Sequence, residues 1–211
     1  MNVGCVVVAA GSGVRFGSKK QFERINNKLV IDYSVDVLKE FGHIVIVAQS
    51  VDIDFLKERF DFACVVKGGA ERMHSVYNGL SALECDIVLV HDAARPVINR
   101  ELIERLIDAA KKYNAAVPVV RAYETLKRFD GEFIESTIDR NVICFSQTPQ
   151  AFNYNMLKSA YDKILENEKV YTDEASVWED VYGKVKVVEG NRKNIKITSK
   201  EDLEIVKCLL G

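Results

Sequence analysis

Short β-branched runs that do not alternate with polar residues constrain this chain more than any other feature. They fall at residues 3–8, 43–47, 63–66, 86–90 and 115–120. A strand with one wet face alternates apolar and polar side chains, whereas a strand covered on both faces stays apolar throughout. The runs therefore predict a mostly parallel sheet with helices on both sides, which requires a crossover helix between successive strands. The intervening segments fit that role. Ile103, Leu106, Ile107 and Ala110 recur at helical spacing, so a helix is expected over residues 101–113 with one face on the sheet. The same pattern predicts helices over 31–41, 54–60 and 72–83.

Residues 121–145 break the rhythm. This stretch is polar and strand-like, with Asp130-Gly131 at its middle, a pair that suits a hairpin turn because both positions accept positive φ. A β-arm leaving the sheet is expected there, too long for a simple connection. Helices at 154–167 and 173–182 should follow, then strands at 185–188 and 194–198. Ser199 is placed to cap a last helix with Leu203, Val206 and Leu210 on its buried side. One domain, residues 1–211, accounts for the whole pattern.

Composition narrows the class of function. A formal net charge of −2 with dispersed basic residues lacks the electrostatic footprint of a nucleic-acid binder, so a small-molecule partner is expected. The five cysteines form no C-x-x-C pair and read as reduced thiols of a cytosolic protein. No run approaches the roughly 20 apolar residues of a membrane span, and the start shows no basic leader. A cytoplasmic location is the expectation.

The first strand run ends in Ala9-Ala10-Gly11-Ser12-Gly13-Val14-Arg15-Phe16-Gly17, followed by Lys19-Lys20-Gln21-Phe22. Glycines after a strand let backbone N–H groups turn toward phosphate oxygens. By themselves they are weak evidence, because a strand followed by G-x-G is often only a tight connection. The nearby cations strengthen the anion reading. A nicotinamide-dinucleotide site is disfavoured: Phe16 stands where a third glycine would fall, and the second strand runs into Ala48-Gln49-Ser50 without an acidic residue for a ribose.

A-A-G-x-G-x-R with a following K-Q-F resembles the signature of the sugar-phosphate nucleotidyltransferases, and Lys20-Gln21 narrows the resemblance to the cytidylyltransferase branch. Matches continue at Gly68-Gly69 to Ser75-Val76, Gly79-Leu80, Val90 to Pro96, Asp139-Arg140-Asn141, Gln147 to Gln150, Thr172 to Ser176 and Asn194 to Thr198. Within that branch, V-H-D-A-A-R-P and T-D-E-A-S favour enzymes acting on 2-C-methyl-D-erythritol 4-phosphate over those acting on ribitol 5-phosphate. The resemblance implies a Rossmann-like fold, CTP and a sugar-alcohol phosphate as substrates, Mg²⁺ as cofactor, a role in non-mevalonate isoprenoid-precursor synthesis, and a homodimer clasped by the arm. A non-catalytic nucleotide sensor is the alternative of a different class, opposed by retention of Arg15, Lys20, Arg140 and Lys196 together.

The resemblance also assigns residues. Arg15 and Lys20 stabilise the transition state, and Arg140 and Lys196 position the acceptor. Ala10, Gly11, Gly13, Gly69 and Ser75 belong to the nucleotide site. Asp92 lies at the carboxyl edge of the sheet, where ligands collect, and is the best candidate to hold Mg²⁺ directly or to anchor it from behind, since that ion prefers hard oxygen ligands. Its plainer role is a turn carboxylate. Arg95 either binds the acceptor or pins the arm. Thr125 and Thr148 match acceptor contacts, or are ordinary strand residues. His91 reads as a packing or hydrogen-bonding histidine, and Asp173-Glu174 as a helix start whose acids favour the dipole. Two positions depart from the family pattern: Ala70 stands where relatives have aspartate, and Lys19 replaces the usual proline.

Overall fold

A computed structural model describes residues 1–14, 16–165 and 169–211. In chain order its strands are β1 (Val3–Val8), β2 (Arg24–Ile25), β3 (Lys28–Leu29), β4 (His43–Ala48), β5 (Cys64–Lys67), β6 (Ile87–Asp92), β7 (Ala115–Arg121), β8 (Leu126–Phe129), β9 (Ile134–Ile138), β10 (Cys144–Ser146), β11 (Gln150–Asn153) and β12 (Lys186–Glu189). The helices are α1 (Val30–Leu38), α2 (Ile53–Arg59), α3 (Arg72–Ser81), α4 (Arg100–Tyr113), α5 (Tyr154–Ile164), α6 (Glu174–Tyr182) and α7 (Lys200–Leu210).

The main sheet is largely parallel. β5, β4, β1 and β6 lie side by side and run in one direction. β11 is inserted antiparallel between β6 and β7, which restores the common direction in β7 and its parallel neighbour β12. The pleat divides each continuous apolar run between two cores. Cys5, Val7, Ile44, Ile46 and Leu89 face one core, with Ile31 and Val35 of α1, Leu56 of α2 and Leu106 of α4. Val6, Val45, Val47, Val88 and Val90 face the other, with Val76 and Leu80 of α3, Leu157 of α5 and Trp178 of α6. This is the three-layer α/β arrangement that unalternated strands require. All five cysteines are free.

Helix ends follow local chemistry. The Asn99 side chain accepts from Leu102 N, and Asn114 closes α4 in the left-handed region at φ 65°, where asparagine is among the few residues at ease. Ser199 caps α7, its hydroxyl accepting from Asp202 N, and Leu203 and Val206 are buried with Leu210 packed beside them.

Three local readings are corrected, and a fourth is tested only in part. Residues 194–198 do not form a strand: this segment is fixed by single bonds, such as Ile197 N to Ala94 O at 2.9 Å, rather than by a ladder. β11 was not expected, because Gln150-Ala151-Phe152-Asn153 is short and flanked by Pro149. It is nevertheless interior, with Ala151 and Phe152 fully buried. The β8–β9 hairpin exists, but Asp130-Gly131 is not a two-residue turn. Phe129 pairs with Ile134, only Gly131 takes positive φ, and the Asp130 carboxylate accepts from Glu132 N and Phe133 N. Finally, α5 ends at Ile164, and the expected end at Asn167 lies outside the described residues.

Candidate active site

Because β5, β4, β1 and β6 run the same way, their carboxyl ends open onto one side, and the segments leaving them line a cleft of about 580 Å³. β1 contributes Ala10, Gly11 and Ser12; β4 contributes Gln49 and Ser50. β5 supplies Lys67, Gly68 and Gly69, leading into Arg72 and Ser75 of α3. β6 supplies Asp92, and Lys20 and Lys196 complete the wall. Open parallel sheets bind ligands at this edge.

The turn after β1 is held tight from within. Gly13 has φ 72°, and a Cβ there would meet Ser18 O at 1.7 Å. Its own carbonyl accepts from Phe16 N and Gly17 N, both at 2.9 Å. Gly13 therefore shapes the turn, while Ala10 to Ser12 face the cleft. Gln21 sits beneath, its Nε2 donating to Ala9 O at 2.8 Å and Gly11 O at 3.0 Å, which sets the adjacent Lys20 at the rim. Lys19, the departure from the family pattern, reaches away to both carboxylate oxygens of Asp52 at 2.7 Å. Arg15 lies outside the described residues.

Across the cleft, a Cβ on Gly68 would come within 2.6 Å of Ala10 Cβ, so the two loops touch only because Gly68 has no side chain. Ser75 does not present a free hydroxyl to a ligand. It accepts from Gly69 N at 3.1 Å and donates to Glu71 O at 3.2 Å, which fixes the loop.

Asp92 is the electrostatic centre. Its Oδ1 accepts from Arg72 Nε at 3.2 Å and Nη2 at 3.1 Å, and its Oδ2 from Lys196 Nζ at 2.6 Å. Burial would raise its pKa, but Arg72 and then Lys196 outweigh burial and hold the carboxyl well below the ordinary range. Arg72 in turn donates from Nη1 to Glu174 Oε1 at 2.7 Å and from Nη2 to Glu174 Oε2 at 3.1 Å. Burial opposes its charge, yet Glu174 and Asp92 raise its pKa further.

Behind Asp92 runs a chain of neutral groups. Asp92 N donates to Thr148 Oγ1 at 3.1 Å, and Thr148 Oγ1 lies 3.1 Å from His91 Nδ1. His91 Nε2 lies 3.1 Å from Arg95 O, a carbonyl that can only accept, so Nε2 carries the proton and Thr148 donates to Nδ1. Burial lowers the His91 pKa to about 4, so the ring is neutral at pH 7. His91 is a hydrogen-bonding histidine, as its setting in the sequence suggests. Thr148 is 4% exposed and supports the Asp92 backbone rather than lining the cleft. The register shifts between β10, where Cys144 faces Arg121, and β11, where Ala151 faces Ala116, and this irregularity aims Thr148 at β6.

The remaining expected residues lie elsewhere. Arg95 donates from Nη1 to Asn194 O at 2.8 Å and lines a separate hollow of about 270 Å³ at the base of the arm, with Arg121, Tyr123 and Arg192. Arg140 donates to Tyr123 O at 2.7 Å, and Thr125 is exposed just before β8. The single chain does not bring Arg140 and Lys196 into one pocket. Arg72 and Glu174 are functional candidates that sequence reasoning passed over. Both lie inside motifs that were recognised, but as helix beginnings.

The sequence profile of the 2-C-methyl-D-erythritol 4-phosphate cytidylyltransferase family matches residues 3–211. A relative of that name from Geobacillus thermodenitrificans is 39% identical over 223 residues, covering 100% of this chain and 98% of the relative. The Francisella tularensis enzyme of the same name superposes with a TM-score of 0.86 at 34% identity, over 99% of each chain. The Thermus thermophilus structure gives 0.87 at 27% identity, over 97% of each.

Proposed function

Because the chain belongs to the 2-C-methyl-D-erythritol 4-phosphate cytidylyltransferase family, we infer that it is a nucleotidyltransferase joining CTP to 2-C-methyl-D-erythritol 4-phosphate. The products are 4-diphosphocytidyl-2-C-methyl-D-erythritol and pyrophosphate, in isoprenoid-precursor synthesis. The observation that carries the reading is the cleft itself, which gathers Lys20, Lys67 and Lys196 beside a glycine-shaped loop at the strand ends.

The chemistry asks for charge control rather than proton transfer. The acceptor's phosphate monoester has a second pKa of about 6, so at neutral pH it is mostly dianionic and attacks the α-phosphorus without a general base. Repulsion between that dianion and the triphosphate is the main obstacle. Cations placed where charge accumulates, and in-line alignment of nucleophile and leaving group, are what lower it. Lys20, with Arg15 five positions earlier in the sequence, serves the transferring phosphoryl group. Lys196 turns from Asp92 to the acceptor phosphate.

A metal ion fits in a limited way. No group of three or more His, Cys, Asp or Glu able to hold a metal occurs among the described residues, so an all-protein cage is absent there. Asp92, fully ionised at the cleft wall, supplies one hard oxygen donor, the usual protein share of a nucleotide-borne Mg²⁺. When bound, Mg²⁺ neutralises triphosphate charge and polarises the α-phosphoryl group.

Arg140 and Thr125 reach a cleft if the arm serves a second copy of the chain. Exposed Phe129, Phe133, Ile134 and Val142 on and beside the arm support such a homodimer, since an isolated two-stranded hairpin is marginal in water. Pyrophosphate release tests the assignment, with CTP and either 2-C-methyl-D-erythritol 4-phosphate or ribitol 5-phosphate, with and without excess chelator. Rapid release with the first acceptor alone, abolished by chelator, is expected. Preference for ribitol 5-phosphate overturns the acceptor assignment, and full activity in chelator overturns the role of Mg²⁺.

A further inference from the structure

Glu174 has no part in the chemistry above, yet its side chain is fully buried. Helix capping does not explain this. Asp173 already caps α6 by accepting from Ser176 N at 3.0 Å, and an acid serving the helix dipole does so from the surface. Taking a carboxylate out of water costs several kcal/mol unless it is paired and hydrogen-bonded. Glu174 meets that condition with Arg72 on both oxygens and Tyr161 Oη donating to Oε1 at 3.2 Å.

The consequence falls on Arg72. Its Nε, Nη1 and Nη2 are all engaged, with Nη2 shared between Glu174 and Asp92. Although it borders the cleft, this guanidinium is committed to two carboxylates rather than aimed at a phosphate. The two partners of Asp92 also differ in kind. Lys196 is a point charge on a flexible stem, rising from an irregular segment. Arg72 is a planar fork gripped from both sides, with its Cα on the first turn of α3.

Resting on the cytidylyltransferase reading, we propose that Glu174 is a positioning residue: it clamps Arg72 so that the guanidinium keeps the Asp92 carboxylate aimed at the nucleotide when Lys196 leaves for the acceptor. The clamp joins the start of α3 and the end of β6 to the start of α6. Without it, Arg72 has two more N–H groups released into an anion-binding cleft and follows the substrate phosphates instead of holding Asp92.

Glu174→Gln, close in shape but uncharged, tests the proposal in the full-length protein. Binding of Mn²⁺·CTP is followed by water-proton relaxation, alongside steady-state kinetics. The expected result is a kcat about tenfold lower and a Mn²⁺·CTP dissociation constant raised about fivefold, with the KM for the acceptor within about twofold of wild type. Tyr161→Phe removes a hydrogen bond from Glu174 but leaves the clamp, and should stay within about twofold on each readout. Wild-type binding and turnover in Glu174→Gln overturn the proposal. So does an equal loss in Tyr161→Phe, which makes the buried cluster a packing knot only. Wild-type protein that binds Mn²⁺·CTP but releases no pyrophosphate overturns the reaction assignment instead, and the binding arm still decides the clamp.

Discussion

The cleft and the arm handle water in opposite ways. In the cleft, charges are withdrawn from solvent and then satisfied: Asp92 has partners on both oxygens, Glu174 has three donors, and each partner comes from the same chain. On the arm, apolar side chains are left in solvent, with Phe129 67%, Phe133 65% and Ile134 65% exposed. Buried charge without partners is costly, so the cleft must be completed by the fold. Exposed apolar surface costs less per group, so the arm can wait for a second copy. The buried charges of the cleft are thus satisfied within one chain, while the apolar side chains of the arm are not covered by it.

If that contrast holds, single changes in the cleft are expensive for one chain and changes on the arm are not. The largest effect is expected from Lys20→Ala, which should lower kcat by ~10² or more, roughly 3 kcal/mol of transition-state stabilisation. Arg15→Ala should behave alike. Stopped-flow pyrophosphate release measures both, and a change confined to KM for CTP would make these cations binding residues only.

Acid tests the buried chain behind Asp92. The folded His91 pKa of about 4 lies below the ordinary 6.5, so between those values the unfolded chain takes up a proton that the folded chain does not. Stability should therefore fall as pH drops from 6.5 to 4, by up to about 3 kcal/mol, and this contribution should level off below. Urea midpoints across that range measure the slope, and His91→Gln should flatten it.

Complementation sharpens the comparison from the other side. Arg140→Ala should raise KM for the acceptor about tenfold while sparing KM for CTP. Mixed in equal amounts with Lys20→Ala under exchange conditions and assayed well below the acceptor KM, it should recover about one quarter of wild-type activity, because a mixed dimer of swapped arms has one intact site. No recovery would mean that each arm serves its own cleft. The smallest effect on a single chain is expected from Phe133→Ser, within about 0.5 kcal/mol of wild type in unfolding of the dilute monomer. Sedimentation should nevertheless show weakened dimerisation, and an unchanged association constant would remove Phe133 from the interface.

The main strands, the helices between them and the loop at the end of β1 could be read from the sequence because burial writes a local pattern: an unbroken β-branched run for β1 and β4, and a spacing of three to four for α4. The arm was legible as polar residues without a core period. The same rule misled at residues 194–198, where Asn-Ile-Lys-Ile-Thr alternates like a strand but is held by single bonds instead of a ladder, and it missed β11, whose strand character comes from lying between β6 and β7.

By itself, then, the sequence determined the layered α/β architecture and the glycine-shaped turn with Lys20 near it, since each depends on neighbours in the chain. Tertiary structure alone decided that Arg72 would bridge Asp92 and Glu174, that Thr148 would support Asp92 from behind, and that Arg140 and Lys196 would stand apart in one chain. Those pairings depend on which loops meet at the carboxyl ends of parallel strands, and no local period encodes that meeting. Glu174 is 102 positions from Arg72, and only the packing of α6 against the sheet makes an ordinary helix beginning into the anchor of the cleft.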